Sequence, residues 1–263
     1  MMSMHEKVKN GISLKDNLII DVHCHMGFDG SQFIPDGSPK ALINAMDNVG
    51  IAMACVSHGA ALSPDYKWGN GRIMEAIQEY PGRFIGYCTI NPHYPEEIPG
   101  EMERCFGFDG MKGIKIHPWF HERTMGHKNY KVVYEFAARK GCHILAHIYS
   151  VEEINNMDRY ATDYPDAVFL MGHTGGEVAY MEAAIEVINR HDNIYADITG
   201  SEAREGIVEW LVREVGSRKI LFGSDMPYFE TRSTIARVAM AEISEEEKKD
   251  ILGLNMKKIL RRR

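Results

Sequence analysis

No run of about 18 apolar residues occurs in this sequence, which leaves no candidate for a membrane-spanning helix. Residues 1–16 are polar and hold no apolar core of the secretory-signal kind, so the expected location is the cytoplasm and no membrane partner is expected. Cysteine is sparse. Cys24, Cys55, Cys88, Cys105 and Cys142 are odd in number and form no C-x-x-C pair, which argues against a disulfide framework and predicts five thiols. Positive charge is in deficit, with 30 Lys and Arg against 37 Asp and Glu and a net charge of -7, whereas a nucleic-acid partner requires clustered basic residues. No G-x-G-x-x-G turn follows the first apolar run, so no nucleotide site is expected. No linker or low-complexity tract divides the chain, and residues 1–263 read as one domain.

What is present is an alternation. Short apolar runs rich in β-branched residues are each followed by a stretch with helical spacing. They are Leu18–Val22, Ile51–Val56, Phe84–Ile90, Gly113–Ile116, His143–Ala146, Ala167–Met171, Asn193–Ala196 and Lys219–Phe222. The spacing leaves room for a crossover helix between parallel strands, and eight such units predict an α/β fold, a single (β/α)8 TIM barrel. Ser244 and Glu247 stand in capping-box spacing and predict a final helix from Ser244 to Leu260.

The chemistry gathers at the ends of these runs. In Asp21-Val22-His23-Cys24-His25 the two histidines are two residues apart, so on a strand both imidazoles share a face and can meet one ion, while Cys24 points away. His147 closes the fifth run, His173 the sixth, and Asp225 follows the eighth. In a barrel these positions share the C-terminal rim, where active sites of this fold lie. Three imidazoles and a carboxylate suit one divalent ion, with Zn²⁺ expected first and Mn²⁺, Fe²⁺ or Ni²⁺ compatible.

These residues, with Gly113-Ile-Lys115-Ile-His117-Pro118, Gly172-His173-Thr174-Gly175-Gly176 and Phe222-Gly223-Ser224-Asp225-Met226-Pro227, resemble the amidohydrolase superfamily. Within it the chain is similar to the amidohydrolase-related group that holds aminocarboxymuconate semialdehyde decarboxylase. The resemblance spans nearly the whole chain. It implies a metal site at the C-terminal face formed by His23, His25, His147 and Asp225, with Asp225 and His173 catalytic. It also implies hydrolysis of a C–N or C–O bond, such as an amide or lactone, of a small polar substrate by water activated at the metal. The alternative in the same site is non-oxidative decarboxylation of a small or aromatic carboxylic acid. The loop from Met26 to Pro39 carries no Arg or Lys, so a substrate carboxylate needs another partner.

Candidate substrate-binding residues at the rim are His117, His58, Asn91, Tyr149 and Lys115. Each has a plainer reading: Asn91 as a turn residue before Pro92, His117 as structural, Lys115 as neutral or paired rather than bridging two metals. Asp197, ending the seventh run, either touches substrate or caps the following segment. His93, His121 and His127 fall in expected loops and read as solvated; His143 and His191 read as structural or exposed. A TatD-like nuclease lacks support because its Gly-Glu-x-Gly-Leu-Asp element is missing, and a PHP-type phosphoesterase lacks its closing Asp-x-His. A decayed, purely binding barrel is opposed by the intact rim set. A homodimer is the assembly that general symmetry preferences favour.

Overall fold

A computed structural model describes residues 2–28, 30–62, 64–200 and 204–262. Eight parallel strands follow one another around a sheet in sequence order. They are β1 (Ile20–Met26), β2 (Met53–His58), β3 (Phe84–Thr89), β4 (Met111–Ile116), β5 (His143–His147), β6 (Val168–Gly172), β7 (Ile194–Asp197) and β8 (Ile220–Leu221). Helices cross back between them, so the strands are covered on both faces and read as near-continuous apolar runs. All seven residues of β1 are buried.

Two apolar layers hold this arrangement. Ile20, Val22, Cys55, Tyr87, Leu145, Leu170 and Leu221, from strands all around the barrel, form one inner cluster, joined by Met256 and Ile259 of the last helix. Outside, Ile19, Cys24, Val56 and Ile114 pack against helix residues such as Leu42, Met46 and Ile73. This outer place of Cys24 matches the alternation argument. All five cysteines are buried and unpaired, and no helix among the described residues is long and apolar enough to cross a membrane.

The sheet closes by irregular bonding. β8 has only two residues, and beyond it Val22 N donates to Phe222 O at 2.9 Å, Asp225 N to His23 O at 2.8 Å and His25 N to Met226 O at 2.7 Å. β1 itself slips register between Asp21 and Cys24, where it pairs with Ala54 and Val56 of β2. This bulge diverts Asp21 from the histidine face: its Oδ1 accepts the amides of His23 at 3.1 Å and Ser224 at 3.0 Å, tying β1 to the chain leaving β8.

The expected final helix is there with its capping box at Ser244 and Glu247, but residues Asp250–Leu254 are π-helical. Gly253 lies against the Leu18 carbonyl, which a Cβ would approach to 2.4 Å, so only glycine allows this contact with the barrel.

Candidate metal and substrate site

The β8–β1 seam places three of the predicted ligands together. Ligand atoms of His23, His25 and Asp225 all lie within 4.8 Å of one another. Asp225 Oδ1 stands 3.1 Å from His25 Nε2 and 3.7 Å from His23 Nε2. Donors on a tetrahedral ion with bonds of about 2.1 Å would be roughly 3.4 Å apart, so the spacing fits a small divalent ion. Asp225 reaches this position through a left-handed backbone, φ 61°. His173 (φ 64°) and Thr174 (φ 47°) share that feature, and together they are three of the four such non-glycine residues among those described. Conformations of this kind cost of order 1–3 kcal/mol each and gather where function requires them.

The imidazoles of His23 and His25 are both held from behind. His23 Nδ1 lies 2.7 Å from Asp197 Oδ2, and His25 Nδ1 lies 3.2 Å from Ser57 Oγ. Their Nε2 atoms are thereby aimed at Asp225. Lys115 Nζ, fully buried, donates to His23 Nε2 at 2.8 Å; burial lowers its pKa to about 8 against the pull of Asp225 and Asp197. Burial also keeps His23 neutral, assisted by the Lys115 charge. Burial would raise Asp225, but the neighbouring imidazoles and the His25 hydrogen bond outweigh it, and the carboxyl stays ionised.

His147 lies outside this cluster. Its Nδ1 is 3.0 Å from His173 Nε2, and its ring stacks on His117 at 3.9 Å and on Tyr149 at 4.7 Å. His173 stands between the two groups, with ring centroids 4.8 Å from His23 and 4.6 Å from His147. Its Nδ1 faces the Thr199 carbonyl at 3.2 Å. Burial depresses both His147 and His173, and each further depresses its neighbours' charged forms, so the pair is neutral near pH 7. Gly176 makes room for Tyr149, whose ring a Cβ would meet at 2.2 Å.

The remaining sequence candidates are spread out. His117 Nδ1 accepts the Phe120 amide at 3.3 Å, capping a helical turn, while its ring stays on His147. Asn91 is spent locally, its Oδ1 accepting the His93 amide at 3.0 Å. His58 ends β2 with Nδ1 accepting the Ala60 amide at 3.1 Å, and burial with the Arg72 charge lowers its pKa to about 4. It lines a cleft of about 560 Å³ with Met26, Phe28, Trp68, Arg72 and Glu75, at the last residues of β1 and β2. Its guanidinium, Arg72, is paired with Glu75 of the same cleft.

Three placements were not read from sequence. Asp197 reaches His23 rather than substrate, though it also bonds the Thr199 amide at 2.8 Å as a capping residue would. Tyr228 covers His25 with ring centroids 5.0 Å apart; its signal was its place three residues after Asp225. His121, expected in solvent, is buried under its loop with Nδ1 3.3 Å from the Tyr130 hydroxyl, and burial lowers its pKa to about 4.

Comparison with known proteins adds the lineage. The amidohydrolase family model matches residues 20–262. A curated relative, 2-amino-3-carboxymuconate-6-semialdehyde decarboxylase of Dictyostelium discoideum, is 20% identical over 227 residues, covering 71% of this chain and 63% of its own length. The chain thus spans under two thirds of that relative. Among solved structures, 2,6-dihydroxybenzoate decarboxylase from Rhizobium superposes with a TM-score of 0.76 at 14% identity, covering 93% of this chain and 98% of that one. The 5-carboxyvanillate decarboxylase of Novosphingobium aromaticivorans, with bound manganese, gives 0.75 at 16% identity, covering 94% and 97%. The extent of the family match, across the barrel and every seam residue, shows that this chain belongs to the amidohydrolase family.

Proposed function

We propose that the protein is a metal-dependent, non-oxidative decarboxylase of a small, planar carboxylic acid, with His23, His25 and Asp225 holding one divalent ion and His147, which stands outside that group, moving in as a fourth ligand when the ion binds. The observation that carries the reading is the grouping of two imidazoles and an ionised carboxylate at ion spacing, beside the buried Lys115 and the rings of Tyr149 and Tyr228. Read from sequence alone, hydrolysis ranked first. The decarboxylase relatives in both comparisons favour the other order. Manganese in one of them makes Mn²⁺ the first ion to load, with Zn²⁺ second.

When bound, the ion supplies Lewis-acid charge for substrate oxygens. The chain's residues do the rest. Lys115 offers a cation to the carboxylate, and flat rings of His117, Tyr149 and Tyr228 confine a planar acid. Asp225 takes an acidic proton from the substrate and returns it to the carbon from which CO2 departs, while His173, fixed by His147 and the Thr199 carbonyl, orients the group left behind. Hydrolysis of a lactone or amide is the second reading, favoured by the ionised state of Asp225, which suits a base toward water. Five buried thiols suit a reducing compartment such as the cytoplasm.

The test is metal content by elemental analysis in protein purified without chelator, beside a His23→Ala, His25→Ala double variant. Both are then assayed for CO2 release from hydroxybenzoates and related acids, and for opening of lactones and amides. About one equivalent of metal and metal-dependent CO2 release, both lost in the variant, is the expected result. Ring opening without CO2 would establish the hydrolase instead, and no metal after reloading would refute both.

A further inference from the structure

Two groups approach His23 from opposite sides, and together they specify where its proton sits. At Nδ1 is the carboxylate oxygen of Asp197, an acceptor only, 2.7 Å away. At Nε2 is the ammonium of Lys115, a donor only, 2.8 Å away. Both contacts are satisfied by one arrangement, Nδ1–H with an unprotonated Nε2 whose lone pair accepts from Lys115. Asp197 is itself fully buried and immobilised: its Oδ1 accepts the Thr199 amide at 2.8 Å and the Thr199 hydroxyl, and its carbonyl accepts the Thr174 hydroxyl at 2.7 Å. Gly223 borders the same place, where a Cβ would come within 2.5 Å of Asp197 Oδ1 and 1.8 Å of Thr199 Oγ1. Nothing else at that position would leave the carboxylate where it is.

We infer that Asp197 is the positioning residue that fixes His23 in its Nδ1–H tautomer and so presents the Nε2 lone pair toward His25 and Asp225. Its consequence for metal affinity rests on the function proposed above; the tautomer does not. Asp197 is outside the metal-facing cluster, since its Oδ2 is engaged with Nδ1, so it acts through the ligand rather than on the ion.

The geometry supplies its own test in Asp197→Asn. The Thr199 amide can only donate, so the new side chain must keep its oxygen at the Oδ1 position and turn its NH2 toward His23. Nδ1 then has to accept, and the proton moves to Nε2, where Lys115, a donor only, must give up its contact. Histidine ¹⁵N–¹H correlation spectra of the full chain, stripped of metal and with His23 assigned through a His23→Gln variant, report the tautomer directly. Competition with a chelator reports Mn²⁺ and Zn²⁺ affinity. Expected are Nδ1–H in the wild type, Nε2–H in Asp197→Asn, and metal binding about 10–100-fold weaker in the variant.

An Nε2–H wild type overturns the inference, and that spectrum decides the matter even if the variant does not fold. Retention of Nδ1–H in a folded Asp197→Asn also overturns it, since Lys115 alone would then set the tautomer. A wild type that shows Nδ1–H yet takes up no metal supports the tautomer assignment while refuting the proposed function, which separates the two.

Discussion

β5 begins and ends with histidine, and the two ends of this one strand treat the same side chain in opposite ways. His143, at the N-terminal end, is buried with Nε2 unpartnered, wedged against Gly113 and edge-on to the Tyr87 ring. Burial lowers its pKa to about 4. His147, five positions along counting both ends, bonds His173 and lies flat between His117 and Tyr149. His143 is the more deeply buried of the two, and burial pulls both imidazoles below the ordinary histidine range, so burial does not make a histidine functional. The difference is what it faces: at one end packed apolar rings, at the other a gathering of titratable groups on left-handed backbone.

The largest effect should separate these two residues by activity. His147→Ala is expected to lower kcat/KM for CO2 release about 10²–10⁴-fold, and His143→Gln to leave it near wild type. Equal losses would break the contrast. Next comes acid stability. His143 titrates at about 4 when folded and near 6.5 when unfolded, so the unfolded state binds the extra proton as pH falls through that window. Its contribution is therefore complete above 6.5 and lost toward 4, worth up to about 3 kcal/mol. Urea unfolding at pH 7 and pH 5 should show a shallower pH slope in His143→Gln.

Gly113→Ala sharpens the same point from the other side of the contact. The added Cβ would come within 2.4 Å of His143 and 2.7 Å of Tyr87, an overpacking cost of about 1–3 kcal/mol in the urea midpoint. Coupling to a His143→Ala change should recover part of it. The smallest effect belongs to the rim: Ser57→Ala removes the hydroxyl behind His25 and should weaken metal binding by a few-fold, in line with one neutral hydrogen bond of about 1 kcal/mol.

Much of this was legible beforehand. The eight strands are visible because parallel strands buried on both faces must be apolar throughout. β1 outruns its apolar segment to Met26 because polar His23 and His25 end the run on paper while the backbone continues pairing with β2. β8 is shorter than its apolar run because the chain leaves regular pairing to bond β1. The bulge at Asp21 depends on the partner strand and has no local signal. Convergence of His23, His25 and Asp225 follows from strand ends meeting at one rim. The His147–His173 bond does not, since strand parity places a Cβ but not a ring. His121 was misjudged because loop burial depends on distant residues, here Tyr130 and the elements above it.

The seam carries a consequence for how the protein comes to exist. Its proposed ligands lie at positions 23, 25 and 225, joined by contacts between the first strand and the chain beyond the eighth. During synthesis neighbouring parallel strands can pair early, each across a single crossover segment, but this pairing spans most of the chain's length and carries the loop-closure cost of such a separation. On the ribosome, a nascent chain displaying His23 and His25 lacks the carboxylate that faces both Nε2 atoms until residue 225 has emerged. An ion captured at the completed seam would therefore act as a late clasp, stabilising ring closure rather than guiding it, and slowing the reopening of a barrel already formed.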